Sequence, residues 1–235
     1  MKRKLLYSFV AFALLVAASQ REAFAQDDEG PDVKEHPFEV GAQLTFIGLN
    51  FPEVVSTSPA GVFTSSERGV TTAGYGARFA YNVSRHVALE AEVNHLPQRN
   101  INEVFQNRRT QVFAGVRAGR RWETVGVFAK VRPGAMNFDE YGTRGPCTVT
   151  FPASGPLGCF GEARTFFAAD VGGVVEFYPS SRTIFRIDAG DTIIRFREVG
   201  PITFPPIGTS PGSSQFTRAD TTHNFQMTFG FGFRF

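Results

Sequence analysis

Past residue 25 this chain of 235 residues holds no apolar run approaching 18 residues, so nothing downstream of that point can cross a bilayer as a helix. It has one Trp, three Met and two Cys. The four histidines, His36, His86, His95 and His223, are scattered, without metal spacing such as H-E-x-x-H. Two cysteines with no histidine near them do not make a zinc site either. A G-x-S-x-G elbow, a P-loop and a dinucleotide fingerprint are all missing, so no catalytic motif, metal or cofactor is expected. Charge of one sign is missing too, with 24 basic against 22 acidic residues. Lys2, Arg3, Lys4 and Arg21 with Glu22 fall in the first 25 residues, which leaves 20 basic and 21 acidic beyond them. A nearly neutral remainder excludes the clustered basic face that nucleic-acid binding requires.

What is abundant is Phe (26) and Gly (24), with 14 Pro, a composition that favours strands and turns over helices. The chain opens on basic Met1-Lys-Arg-Lys4 and a short apolar run from Leu5 to Ala18, then Ala23-Phe-Ala25. That order predicts a secretory signal over residues 1–25, cleaved before Gln26, with no cysteine at the cut for lipid attachment. Residues 26–36 are charged and carry a Gly-Pro pair, which predicts a flexible leader ahead of one domain over 37–235.

From Pro37 the sequence breaks into eight period-two runs of about 9–11 residues, the length a tilted strand needs to cross a bilayer. In the first, Phe38, Val40, Ala42, Leu44 and Phe46 oppose Glu39, Gly41, Gln43 and Thr45. In the last, His223, Phe225, Met227, Phe229, Phe231, Phe233 and Phe235 oppose Asn224, Gln226, Thr228, Gly230, Gly232 and Arg234. Phe113 and Phe128 break the alternation of their runs. Asp191 lands on an apolar face, and a bulge near Gly190 would restore its phase. Short links near Val83–His86, Gly119–Thr124 and Tyr178–Arg182 alternate with long ones near Phe51–Gly69, Pro97–Arg108, Asn137–Ala163 and Arg197–Thr217. The pattern predicts an all-β, eight-stranded antiparallel up-and-down transmembrane β-barrel with short periplasmic turns and long outer loops.

In this register the inner face carries Glu39, Glu90, Glu92, Asp170, Glu176 and Asp188 against Arg78, Arg117, Lys130, Arg132, Arg186 and Arg234. Six acids facing six bases in so narrow a barrel predict a filled, hydrogen-bonded interior.

The alternation, the eight runs and the ending Thr228-x-Gly230-x-x-Phe233-x-Phe235 resemble the OmpA-like small outer-membrane β-barrel proteins over residues 37–235. Val127-Phe-Ala-Lys-Val-Arg-Pro-Gly134 resembles them less specifically. The resemblance implies a location in the bacterial outer membrane and contact with its lipid. It also implies that Thr228, Gly230, Phe233 and Phe235 form the signal read by the barrel-assembly machinery. No peptidoglycan-binding domain follows the barrel, so tethering of the kind larger members perform is not expected.

Cys147 and Cys159 share one long loop of an exported chain, which predicts a disulfide. Asn82-Val-Ser84 matches a glycosylation sequon but falls in a short turn and reads as chance. The function expected is a non-enzymatic, monomeric envelope protein with a structural or surface-interaction role and an outer partner that the loops do not name. A small-solute pore is the alternative. A second is an outer-membrane enzyme, an acyltransferase or protease, with a rim site drawn from Asp191, His95 and loop serines. The outsider is a soluble lipocalin-like barrel, whose apolar face would point inward.

Overall fold

The computed structural model describes residues 36–59, 61–65, 69–97, 108–141, 162–204 and 213–235. The expected signal, nearly all of the leader, and Cys147 and Cys159 with their expected disulfide lie outside the described residues.

Twelve strands are present among those residues: β1 (Phe38–Leu49), β2 (Val54–Ser58), β3 (Gly61–Ser65), β4 (Val70–Asn82), β5 (Val87–Leu96), β6 (Arg109–Arg121), β7 (Val125–Tyr141), β8 (Glu162–Phe177), β9 (Thr183–Phe196), β10 (Val199–Phe204), β11 (Ser213–Thr217) and β12 (Asp220–Arg234). Eight of them close a barrel in the order β1-β12-β9-β8-β7-β6-β5-β4, every neighbouring pair antiparallel. The fold class read from the eight alternating runs is the one observed.

The register fixes the size of the ring. Starting from Ile47 and crossing the pairs Gln226, Gly190, Gly172, Lys130, Arg117, Ala88 and Asn82, one arrives beside Pro37, whose carbonyl accepts the Asn82 N–H. The stagger is ten residues, 47 less 37. With strands about 4.8 Å apart and about 3.3 Å per residue, it tilts them about 40° and sets the wall about 8 Å from the axis. An arginine side chain from one wall therefore reaches groups standing on the opposite one.

The alternation holds through all eight barrel strands, and the two exceptions have a common cause. Phe113 and Phe128 point inward, and each lies opposite a glycine, Gly134 and Gly119 respectively. A methyl group on Gly134 would stand 2.6 Å from Phe113 Cδ1, and one on Gly119 would stand 2.9 Å from Phe128 Cδ1. The rings thus occupy the volume that the glycines vacate.

Two expectations are corrected. No bulge forms at Gly190: β9 runs in unbroken register with both β8 and β12, and Asp191 stays on the outer wall. Its carboxylate is held there by hydrogen bonds, so no shift of phase is needed. The long links Phe51–Gly69 and Arg197–Thr217 are not irregular throughout, because β2, β3, β10 and β11 form a second four-stranded sheet in the order β10-β11-β2-β3. Its central pairing, β2 with β11, joins segments far apart in sequence, which local alternation cannot reveal. Asn50 ties the ends of the first of these links, since its Oδ1 accepts the Gly69 N–H at 3.0 Å and Gly69 adopts φ +72°.

The close approach of Phe113 to Gly134 generates a prediction. Gly134→Val overpacks the wall and destabilises the barrel by about 1–3 kcal/mol, measured as a lower urea midpoint in detergent micelles. An unchanged midpoint would contradict the packing described.

Candidate functional site in the barrel interior

All twelve charged residues predicted for the inner face are buried inside the barrel. The alternation of eight strands brings them together. They are stacked in layers along the axis.

Nearest the short turns, Glu39 on β1 is a hub. Its carboxylate accepts from Arg117 at 2.8 Å, Asn82 at 2.9 Å, Arg234 at 3.0 Å and Arg121 at 3.2 Å. Glu176 takes Arg117, Arg78 at 3.5 Å, Arg186 at 3.6 Å and the Tyr178 hydroxyl at 2.8 Å. Higher up, Glu90 meets Arg186, Arg117 at 3.3 Å and Arg132 at 3.5 Å. Asp170 receives Lys130 at 2.6 Å and Arg132 Nε at 3.0 Å, while Asp188 contacts Arg186 at 3.0 Å and also Lys130. Glu92 is held by Arg132 and by Asn94 at 2.6 Å.

Above the charges lies a layer of amides and hydroxyls. Gln43 donates to Asn94 at 2.7 Å, Asn94 to Gln111 at 3.3 Å, and Gln111 to Gln226 at 3.2 Å. Above that, toward the long loops, Leu49, Leu96, Met136, Phe138, Phe166 and Phe196 belong to one buried apolar cluster, with Phe51 and Val199 packed against it. Arg117 and Arg132 are 0% exposed. An aqueous channel would wet the charges that line it, whereas here they are buried against one another.

Besides the apolar cluster, sequence reasoning missed three polar or charged members of this interior. Arg121 donates to Glu39 and, through Nε, to the Tyr178 hydroxyl at 3.0 Å. Both were assigned to short links, although Arg121 shares the odd-number parity of Arg117 on β6. Arg109 has the same parity, and its guanidinium lies 5.3 Å from the Phe51 ring centre and 5.5 Å from that of Phe138, within cation–π range. With Arg109 and Arg121 the buried cations outnumber the buried acids, eight to six, so the match is less even than six against six. Asn82 of the sequon is itself buried, its amide spent on Glu39, which leaves no room for a glycan.

The residues expected to form an assembly signal divide between the two faces of the terminal segment, with Thr228 and Gly230 on the inner face and Phe233 and Phe235 on the outer. The rim triad does not assemble. His95 sits on β5 beside Tyr75 and Thr110, four strands around the ring from Asp191 on β9. The partner of Asp191 is His223, whose Nδ1 lies 2.5 Å from Oδ2, while Oδ1 accepts the backbone N–H of Asn224 at 2.9 Å. The Asn224 amide in turn donates to the Thr192 carbonyl at 2.8 Å. Side-chain bonds thus reinforce the β9–β12 pair at this point.

Cutting one member out of the charge layers should be costly. Arg132→Met removes the cation that contacts Glu92, Asp170 and Glu90, and the barrel loses about 3–5 kcal/mol, as expected for a stranded buried charge. Adding Glu92→Gln recovers part of that loss, so unfolding of the two single variants and the double variant gives a coupling energy. Strict additivity would show that the contact is energetically idle.

No family model and no curated protein matches the chain. Among solved structures it is similar to the outer membrane protein OprG from Pseudomonas aeruginosa, at 11% identity and a TM-score of 0.45, covering 85% of this chain and 96% of that one. It is also similar to the N-terminal β-barrel domain of Pseudomonas aeruginosa OprF, at 9% identity and a TM-score of 0.42, covering 83% and 97%. A third is Ail, the attachment invasion locus protein of Yersinia pestis, at 13% identity and a TM-score of 0.39, covering 85% and 99%. By its own strand order and register, the chain is a closed eight-stranded antiparallel barrel, the fold expected from its resemblance to the OmpA-like small outer-membrane proteins.

Proposed function

We propose that this chain is a bacterial outer-membrane barrel that serves as a closed, rigid scaffold for its outer loops, with no enzymatic chemistry and no solute path along its axis. The observation that carries this is the inside-out distribution of polarity. Between Arg120 near the short turns and Asp191 near the long loops, the outward positions of the eight barrel strands carry no Asp, Glu, Lys or Arg. From Phe225 on β12 to Phe235 just past it that wall spans ten residues, which at the rise and tilt given above is a band about 25 Å tall. A hydrocarbon-facing band of about 25 Å is what a barrel needs in an outer membrane. A lipocalin-like barrel would carry its apolar face inside; here that face is outside and the charges are inside.

The short turns then face the periplasm, and the apolar cluster and the sheet β10-β11-β2-β3 face outward. On this reading the periplasmic leader follows a cleaved signal, and the terminal residues Thr228 to Phe235 are read during assembly. The sheet gives the loops a fixed shape on which an outer partner can rest, which supports a surface-interaction role. A pore is disfavoured because every buried acid of the lumen pairs with a buried cation and the outer mouth is apolar.

The test is electrical. The full chain, expressed in Gram-negative cells, fractionates with the outer membrane and, in planar bilayers, gives no single-channel steps above background. Discrete ohmic steps from the folded protein would overturn the closed scaffold, and release in the soluble fraction without detergent would overturn the membrane location.

A further inference from the structure

Asp191 is an acid on a wall otherwise apolar, with Val171 opposite it on β8 and Phe225 opposite it on β12. An ionisable residue in such a place marks a functional site by default. Its surroundings define what the site takes. On the same face, His223 pairs with Ile193 and Thr221 pairs with Arg195, so Arg195 and His223 are diagonal neighbours across the β9–β12 ladder. Diagonal positions lie about 7–8 Å apart, a spacing that two long side chains bridge through one small anion.

The two basic groups differ in what holds them. His223 is fixed from below by Asp191 through Nδ1, which leaves Nε2 unspent. Arg195 is exposed and has no hydrogen-bond or ion-pair partner among the described residues. Asp220, the nearest acid on β12, spends a carboxylate oxygen on the Thr221 N–H at 2.7 Å. The floor beneath is apolar and open, with Phe225 66% and Phe167 58% exposed. Phe167 lies opposite Arg195 on β8.

Resting on the membrane reading above, we propose that Arg195, Thr221 and His223 form a docking site for the phosphomonoester headgroup of an outer-leaflet lipid, with its acyl chain lying over Phe167, Ile193 and Phe225. The chemistry is complementary at each point. A guanidinium fork matches two phosphate oxygens, and a hydroxyl supplies a further donor. The site sits at the last outward position of β9, where a lipid headgroup meets the end of the apolar band. Asp191 is a positioning residue, since it orients the imidazole from the side away from the headgroup.

The test reconstitutes the full chain in phosphatidylcholine bilayers doped with phosphatidic acid and weighs the intact protein after transfer to mild detergent. The wild type retains phosphatidic acid in preference to phosphatidylcholine, and inorganic phosphate does not displace it. Arg195→Ala lowers retention about tenfold, as loss of a charge-assisted contact requires, and Arg195→Lys restores part of it. His223→Ala weakens retention as well, while heat-dependent gel mobility shows each variant still folded. Equal retention by Arg195→Ala, equal retention of phosphatidylcholine, or displacement by free phosphate would each overturn this site and leave the membrane reading intact. Failure of the wild type to enter the bilayer as a folded barrel would overturn both.

Discussion

A wall about 8 Å from its axis is the constraint from which the rest follows. At that radius side chains from opposite walls meet and fill the interior. Every inward group must find its partner in another inward group. Charge there is costly unless matched, and the inner face carries fourteen charged side chains. The layered order answers that cost. Glu39, Glu90 and Glu176 each touch several cations, and guanidinium groups, with their fixed forks, are spread so that most of them serve two or three carboxylates. Amides then bridge from the charged layers toward the apolar cluster, at whose edge Arg109 lies over the rings of Phe51 and Phe138.

How much of this could be read in the sequence depended on whether a feature was local. Period-two alternation is local, and parity alone put all twelve expected charges in the lumen and every Phe of the last strand on the outer wall. The two inward rings were visible as exceptions, though not their cause, because Gly134 and Gly119 lie on the paired strand. Arg109 and Arg121 were legible by the same parity and were lost only where the strand ends were drawn too short. The pairing of β2 with β11 was not legible, since it links two segments separated by most of the barrel. Nor was the partner of Asp191, because a residue out of phase can be repaired by a bulge or held by a neighbour across the ladder, and sequence does not choose between them.

The exterior is less uniform than a simple apolar band. Phe79, Tyr81 and Phe235 each pack against Phe38 in a patch at the short-turn end of β4, β1 and β12, and Phe185, Phe231 and Phe233 continue it onto β9. Across the ring, β5, β6 and β7 present Leu89, Val93, Val112, Val116, Val127 and Val131 with alanines between them. The aromatic side is the side on which the first and last strands meet. Ring contacts across the β1–β12 pair, such as Phe38 with Phe235 and Phe46 with Phe229, reinforce from outside a junction that backbone bonds and inward polar side chains also hold.

The same junction completes the charge network. Each of the eight barrel strands contributes at least one member, from Glu39 on β1 to Arg234 on β12. Arg234 reaches Glu39 only when β12 lies beside β1, in the register that pairs the two residues directly. An open sheet would leave Glu39 short of a cation and would spread the remaining carboxylates away from arginines that stand on opposite walls. Closure and neutralisation are therefore one event, and the ring has no stable partly closed form in which its charges are satisfied. A slip of one residue at the seam would turn Glu39 outward into the apolar band and bring Phe38 into the lumen, because successive side chains alternate faces. The buried charges thus specify the register of the barrel as strictly as its aromatic exterior does, and they do so from the inside.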